Sequence, residues 1–542
     1  MPHADLVISG TSGFVDGEPR SDVAVGITAG RIVAVGPQGE LRELSGSGTR
    51  SVRIPGGFVV PGFQDAHVHP NEGGLIRSRA NLEDLAGPDA YLAAIRDYAT
   101  VNPDVPWILG GAWAMEYFEK GCPSKELLDR ALPDRPAYLP NRDGHGAWVN
   151  SRALELAGIS AATPELPDGR IERTPTGEPQ GTLHEGAMDL VEGLIPRPTQ
   201  AEWESALLVA QGYLHALGIT AWQDAIVTEE TLPAYLALAQ RGELTARVVA
   251  ALWWDRHRGL EQIDELVERR RWGSEGRLRA TSVKIMQDGI CENFTAGMLE
   301  PYLEPQGRRG LSFVEPGALN EAVARLDWEG FQVHIHAIGD RAVREALDAF
   351  EEALGRNGPS DHRHHVAHLQ VVNPKDHPRF AGLGVTANAQ PFWACLDAQM
   401  RDLNVPILGP ERVGHQYPFA SLLKAGARLA MGSDWNVSTP DVMREIQIAV
   451  TRLPEERSVD EPFLPQERIT LAQALLAFTE GSAFVNHLDA ETGTLVNGKL
   501  ADIAVLDRDP FDGPPEEIGQ ARVALTLVEG EPVHADPAAV SW

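Results

Sequence analysis

The chain has 542 residues, enough for one large barrel-type domain with an accessory domain. It carries 47 Lys and Arg against 77 Asp and Glu, a formal net charge of −30 that opposes binding to nucleic acid and to anionic membranes. The expected partner is therefore a small molecule.

The sequence contains no run of about 18 apolar residues, and its first residues lack the basic start and apolar stretch of a signal peptide. We therefore expect a cytoplasmic protein without a membrane segment. Its three cysteines, Cys122, Cys291 and Cys395, are odd in number and far apart. This distribution argues against a disulfide framework and against a cysteine-based metal site. The oligomeric state is left open between a monomer and a homodimer.

Both ends of the chain contain short β-branched segments separated by Gly, Asp and Pro. The pattern predicts one small β-sandwich domain built from residues 1–59 together with residues 490–542.

Strand-like and helical segments alternate in the middle of the chain, over residues 60–489. Eight βα units in succession are typical of an α/β fold of the TIM-barrel type, whose chemistry lies at the carboxyl ends of the strands. The predicted strands are the segment leading into His67, then 219–222, 247–252, 281–286, 331–336, 364–368, 383–388 and 427–432. Residues from about 75 to 196 exceed what a crossover needs, and we expect them to form an inserted subdomain near the barrel mouth.

The first barrel strand ends in the motif Asp65-Ala66-His67-Val68-His69. Residues two apart on a strand point to the same side, so His67 and His69 present two imidazoles to one point. This is a spacing of metal ligands, although two half-exposed strand histidines would give the same pattern.

Further polar residues fall at the ends of later predicted strands. Together with His67 and His69, they are Lys284, His336, His368 and Asp434. Side chains at the carboxyl ends of barrel strands share one mouth. Alternatives are an ordinary strand lysine at 284 and a helix N-cap at 434.

Two of these positions have competing histidines nearby. His334 competes with His336, but Gly339-Asp340 marks the strand end and favours His336. His362, His364 and His365 compete with His368, which the following Leu369-Gln370 favours.

The chain resembles the amidohydrolase superfamily, and within it the subgroup that includes the N-substituted formamide deformylases. The residues that carry this resemblance are Asp65-Ala66-His67-Val68-His69, Val283-Lys284 through Gly289, His336-Ala337-Ile338-Gly339-Asp340, His368-Leu369-Gln370 and Gly432-Ser433-Asp434. The resemblance implies a binuclear metal centre on a TIM barrel. His67, His69 and Asp434 would hold one ion, His336 and His368 the other, and a carboxylated Lys284 would bridge the two. One departure is Ala367, where relatives often have Glu.

The predicted insertion contains Asp143-Gly144-His145, followed by Asn150-Ser151 and Ala153-Leu154. Relatives carry a similar motif, which implies that His145 reaches the substrate carbonyl or the oxyanion formed on attack. A structural turn before a helix cap at Ser151 is the alternative.

The chain has 12 tryptophans, of which Trp113 and Trp435 are predicted to contact substrate. Trp148, Trp253, Trp254 and Trp393 also fall in loops or at strand ends near the predicted mouth. Large apolar rings beside a metal site suggest a substrate with an aromatic or bulky apolar substituent, although tryptophans of a large barrel also pack between helices.

These features predict a metal-dependent hydrolase of the C–N bond of a small linear amide, such as an N-substituted formamide or an acylated amine. The resemblance implies attack by metal-bound hydroxide, with Asp434 as general base and then proton donor to the leaving nitrogen. Two Zn ions are expected, although Mn, Fe, Co or Ni would suit the same ligands. The alternatives are a mononuclear deaminase of a nitrogen heterocycle, a lactonase or esterase, and a non-catalytic scaffold.

Overall fold

The computed structural model describes residues 3–455 and 461–541. Its centre is a barrel of eight parallel strands, each bonded to the next in chain order. They are Phe63–Val68, Ile219–Val227, Arg247–Trp253, Leu278–Met286, Gln332–Ala337, His365–His368, Thr386–Ala389 and Leu429–Met431. The last strand returns beside the first, where the amide N–H of Asp434 donates to the carbonyl of His67 (2.7 Å). The TIM barrel predicted from the sequence is confirmed.

The α-helices of the described residues lie largely outside the barrel. Their bounds are Gln38–Leu41, Pro70–Arg77, Gly87–Val101, Lys125–Asp129, Ser151–Leu156, Asp189–Glu192, Gln200–Ala216, Leu232–Arg241, Gln262–Trp272, Pro316–Trp328, Asp340–Asn357, His377–Leu383, Val405–Leu408, Pro410–Val413, Phe419–Lys424, Val442–Thr451, Leu471–Leu476 and Ser482–Val485. Helix Gln200–Ala216 begins with a capping box in which Thr199 and Glu202 each accept the other's backbone N–H. Among these residues, none of the helices combines the length and apolar character needed to cross a membrane.

Strands from both ends of the chain form one seven-stranded sheet, which we call the terminal sheet. In spatial order its strands are Glu531–Ala535, Val523–Val528, Ile503–Leu506, Arg50–Pro61, Leu6–Val15, Glu18–Thr28 and Arg31–Gly36. Apolar side chains from both ends of the chain pack into one shared core. They are mostly β-branched residues and leucines, which suit a half-buried sheet. The terminal sheet is tied to the barrel by Arg247, whose guanidinium donates to Asp502 (2.7 Å) and Glu529 (2.6 Å). The domain boundaries drawn from the sequence stay a prediction, and residues 1, 2 and 542 lie outside the described residues.

A second sheet of six strands follows the first barrel strand. Its strands, in spatial order, are Gly169–Arg173, Pro179–Glu185, Gly146–Val149, Ala137–Pro140, Ile108–Gly111 and Ala80–Asn81. This insertion sheet has its own apolar core, which includes Ile171 and Leu183. It lies where the sequence predicted an inserted subdomain, and it contributes Tyr138, His145 and Glu185 to the wall of the cavity described next.

Candidate active site

A cavity of about 730 Å³ opens at the carboxyl ends of the barrel strands. All six residues predicted as metal ligands line it, and so does His145 from the insertion sheet. Its remaining wall mixes apolar side chains, among them Ile226, Met286, Trp253 and Trp393, with charged ones. A largely preformed cavity with a few convergent polar groups is the usual form of a small-molecule site.

His67, His69, His368 and Asp434 converge at the floor of this cavity. The first Asp434 carboxylate oxygen, Oδ1, lies 2.8 Å from His69 Nε2 and 3.2 Å from His67 Nε2. The second, Oδ2, lies 3.7 Å from Nδ1 of His368. His67, His368 and Asp434 each offer a donor atom within 4.8 Å of the others. This group combines residues that the resemblance assigned to different ions, so the structure shows one point of convergence and the two-ion arrangement stays a prediction.

The state of these imidazoles fits a divalent cation. Burial, followed by the charge of nearby Lys284, lowers the pKa of His67 well below its usual value. Burial, followed by the neighbouring His67, does the same to the pKa of His368. Nε2 of His67 and both ring nitrogens of His368 are buried and have no hydrogen-bond partner within residues 3–455 and 461–541. Neutral imidazoles with unused nitrogens cost free energy in a protein interior unless a cation takes them.

His336 lies beside this group, with its ring centroid 4.3 Å from that of His368. Its Nε2 is 3.5 Å from the carbonyl of Gly289. His334, two residues earlier on the same strand, instead contacts Nδ1 of His67 through its own Nε2 (2.8 Å) and is not among the residues that line the cavity. The preference for His336 over His334 therefore agrees with the geometry, and His334 has a role that sequence reasoning missed: it orients the His67 ring.

The other competing histidines lie away from the cavity. His365 points into the barrel interior, where its Nε2 contacts Gln223 (2.9 Å). His362 and His364 both contact Asp327 near the amino ends of the strands. His368 is the histidine of this segment that lines the cavity.

Lys284 is 1% exposed and lies in the cavity wall on the fourth strand. Burial lowers the pKa of its amine to about 8, although Asp434 and Asp224 act in the opposite direction. Asp224 is held by Asn71 (2.6 Å) and by the hydroxyl of Tyr235 (2.8 Å). An amine this deeply buried beside carboxylates is unlike an ordinary strand lysine, which extends into water.

Asp65 closes the barrel beneath the site, a role that its place in the first motif did not predict. Its carboxylate accepts the amide of His67 (3.0 Å) and both the amide (3.0 Å) and hydroxyl (2.5 Å) of Ser433. Gly432 permits this closure, because a Cβ there would lie 2.4 Å from the His67 nitrogen. His368 and Asp434 have φ of 79° and 56°, left-handed values that cost non-glycine residues about 1 kcal/mol or more and occur preferentially at functional sites.

His145 reaches the cavity from the insertion sheet, and its ring centroid lies 5.6 Å from that of His336. Its Nδ1 contacts both oxygens of Glu185 (3.1 and 3.0 Å), and the hydroxyl of Thr295 donates to the same carboxylate (2.7 Å). Burial opposes protonation, but the Glu185 carboxylate outweighs it and raises the pKa of His145. Glu185 lies 40 residues away in the chain, and no local pattern pointed to it.

Trp113 and Trp435 require a correction. Both are fully buried, and their indole N–H groups donate to the carbonyl of Leu139 (2.8 Å) and to Glu83 (2.9 Å). Neither lines the cavity, because both rings pack into the apolar layer behind it. Trp253 and Trp393, which the sequence also placed near the mouth, do line it.

An eight-stranded parallel barrel that gathers neutral imidazoles and a carboxylate at its strand ends is suited to metal-dependent hydrolysis. The chain belongs to the amidohydrolase family, whose profile, described as "Amidohydrolase family", matches residues 55–534. It is 32% identical to "Protein LONG AFTER FAR-RED 3" of Arabidopsis thaliana, over 98% of this chain and 92% of that one. It is 27% identical to "N-substituted formamide deformylase" of Arthrobacter pascens, over 97% of both.

A solved structure agrees with this family. The uncharacterized metal-dependent hydrolase from Pyrococcus furiosus matches with a TM-score of 0.71 and 26% identity, over 94% of this chain and 100% of that one. The resemblance stated from the motifs and the prediction of a metal-dependent hydrolase are confirmed.

Proposed function

We propose that this protein hydrolyses the C–N bond of a small linear amide, such as an N-substituted formamide or another acylated amine. The observation that carries the proposal is the convergence of His67, His368 and Asp434, with unpartnered imidazole nitrogens, on the floor of a 730 Å³ cavity. The formamide deformylase relative, 27% identical over 97% of its length, supports the amide as substrate class.

The metal ligands of this proposal are His67, His69, His336, His368 and Asp434, with Lys284 as a bridging carbamate. A bound divalent ion would supply Lewis acidity and lower the pKa of water at this position. Carboxylation of Lys284 turns a cation into an anion with two oxygens, which makes the residue compatible with such ions. Zn is the proposed metal, and two ions the proposed number.

Asp434 is the proposed proton carrier. Its carboxylate faces His69 and His368 at the cavity floor. Burial opposes ionisation, but the hydrogen bond from His69, the largest of the opposing contributions, lowers the pKa of Asp434. An ionised carboxylate at this point can take a proton from the attacking water and deliver it to the departing amine nitrogen.

His145 is the proposed oxyanion donor. With Nδ1 directed at Glu185, the other ring nitrogen, Nε2, is left to donate to the carbonyl oxygen as negative charge develops there. The apolar part of the wall, with Ile226, Met286, Trp253 and Trp393, would hold an apolar substituent on the amide.

Metal content tests the proposal first. Elemental analysis of both proteins, purified without chelator, should find close to two more ions per chain in the wild type than in Lys284→Ala. Lys375→Ala, which changes an exposed lysine, is the matched control and should keep the wild-type number of ions. The same number of ions in wild type and Lys284→Ala would contradict the bridging carbamate and favour a mononuclear deaminase.

Substrate class needs a second measurement. A panel of formamides, acetamides, esters and lactones that share one apolar substituent should show the highest kcat/KM for an amide. Faster cleavage of every ester or lactone than of its matched amide would contradict the proposal.

A further inference from the structure

Three side chains with different donor atoms meet in the insertion and are not among the residues that line the cavity: Cys122, Glu172 and His184. Cys122 Sγ lies 3.7 Å from Nε2 of His184, and a Glu172 carboxylate oxygen lies 3.3 Å from the same nitrogen. A Cys–His–Glu catalytic relay requires the thiol and the carboxylate on different ring nitrogens. In this protein the thiol and the carboxylate both lie beside Nε2 of His184, an arrangement expected when all three side chains bind the same ion.

We propose that Cys122, His184 and Glu172 form a separate metal site that takes one Zn²⁺, with water in the fourth position. Bonds of about 2.3 Å to sulfur and about 2.0 Å to nitrogen, at a tetrahedral angle, put those two atoms about 3.6 Å apart. A zinc–oxygen bond of about 2.1 Å likewise puts nitrogen and oxygen about 3.4 Å apart. The separations of 3.7 and 3.3 Å in the protein match both values.

The residues around the site leave these donors available. His184 is 1% exposed, and its other nitrogen, Nδ1, has no hydrogen-bond partner among the described residues. The ring proton can therefore stay on Nδ1, which leaves the lone pair of Nε2 for an ion. The Glu172 side chain is 23% exposed, which gives an ion a route from solvent.

Two positive charges oppose the ion. Arg170 donates to the Glu172 oxygen that faces His184 (2.6 Å), and Lys120 is the other cation near Cys122. The thiolate and the carboxylate would contact the ion directly, whereas Arg170 reaches it only through Glu172, so the nearer negative charges give a net attraction for a dication. On binding, the S–H bond of Cys122 breaks, the proton leaves to solvent and a sulfur–metal bond forms, without any redox change.

The position of this site links it to the cavity. His184 directly precedes Glu185, the partner of His145, on the strand Pro179–Glu185. An ion held by Cys122 and His184 would fix that strand to the segment that follows Gly121. The sequence argued against a cysteine-based metal site, because the three cysteines are far apart in the chain. Cys122 gains a His and a Glu as neighbours only in the folded protein.

Cobalt substitution distinguishes this site from the one in the cavity, because only a cysteine ligand gives a thiolate signal and no cysteine of the described residues lines the cavity. Protein produced with Co²⁺ in place of zinc should show a thiolate-to-cobalt charge-transfer band in the near ultraviolet. Cys122→Ser should lose the band and one cobalt ion per chain. Cys291→Ser, which changes a buried cysteine outside the cluster, should keep both.

A cobalt-loaded wild type without the band would overturn the proposal, and so would a band that persists in Cys122→Ser. Glu172→Gln keeps the thiol and removes one ligand charge, so it decides the matter if Cys122→Ser does not fold. Its band should appear only at higher cobalt concentration than in the wild type, and an unchanged titration would contradict the site. Neither result depends on amide hydrolysis, which the substrate panel tests separately.

Discussion

Two clusters of His and Asp lie at opposite ends of the same barrel. His67, His368 and Asp434 meet at the carboxyl ends of the strands, whereas Asp327, His362 and His364 meet near the amino ends. At the amino end the Asp327 carboxylate faces His362 Nδ1 (2.7 Å) and His364 Nε2 (3.0 Å). At the carboxyl end, Nε2 of His67 and both ring nitrogens of His368 have no hydrogen-bond partner in the part of the chain that the structure describes.

The difference shows that residue type and proximity do not define a metal site. His364 Nδ1 accepts the amide N–H of Val333 (3.0 Å), which places the ring proton on Nε2 and leaves that imidazole no free lone pair. The amino-end cluster is therefore a complete hydrogen-bond network that holds two segments together. The carboxyl-end cluster is incomplete without a further group, and the cavity gives that group access.

Asp434→Asn should produce the largest effect that separates the two clusters. The amide keeps the shape but cannot accept a proton, so kcat/KM for the best amide should fall by about 10²-fold or more. Some fall in melting temperature is also expected, because the lowered pKa of Asp434 means that its ionised form stabilises the fold, so rates are measured on the folded fraction. Retention of more than a tenth of the activity would show that Asp434 is not the proton carrier.

Asp327→Asn should have the opposite profile. Loss of the charge weakens the contacts to His362 and His364 and should lower the free energy of unfolding by about 2 kcal/mol, because both imidazoles lose an ionised acceptor. The activity of the folded fraction should not change. Urea unfolding measures the first quantity and initial rates measure the second; a large fall in kcat would mean that the two ends of the barrel are coupled.

The barrel strands and most residues of the candidate site could be predicted from the sequence, whereas several side-chain contacts could not. The barrel strands were predictable because each is a short apolar run between turn and helix signals, and the strand ends then selected His336 and His368. Trp113 and Trp435 were assigned wrongly because a position near a strand end does not tell which way a ring packs. Glu185 and His334 were missed because their contacts, to His145 and His67, arise only in the folded chain.

Glu185→Gln tests His145, which lines the cavity and has a carboxylate as hydrogen-bond partner. We expect a fall in kcat of roughly tenfold, less than for loss of an oxyanion donor itself, because His145 remains but loses its orientation. The pKa of His145, which Glu185 raises, should fall, so the pH profile of kcat should shift to lower pH. Thr295→Val removes a hydrogen bond to Glu185 and one from the amide of Ile290, and it should change the pH profile less than Glu185→Gln does, because the carboxylate that raises the pKa of His145 remains.

The smallest expected effect is the acid response of the amino-end cluster. Burial alone would raise the pKa of Asp327, but hydrogen bonds from His362, His364 and Asn357 hold it well below its usual value of 3.8. A carboxyl whose pKa is lower in the folded than in the unfolded state stabilises the fold above the unfolded pKa and loses that contribution as pH falls below it. The stability difference between wild type and Asp327→Asn, about 2 kcal/mol near pH 7, should therefore shrink below about pH 4.

Urea unfolding of both proteins at a series of pH values measures this difference, with Asp361→Asn, which removes an exposed carboxylate next to His362 in the chain, as the control. A difference that stays constant between neutral and acid pH would mean that Asp327 acts by shape rather than by charge. The amino-end cluster would then be a packing feature, and only the carboxyl-end cluster would depend on ionisation.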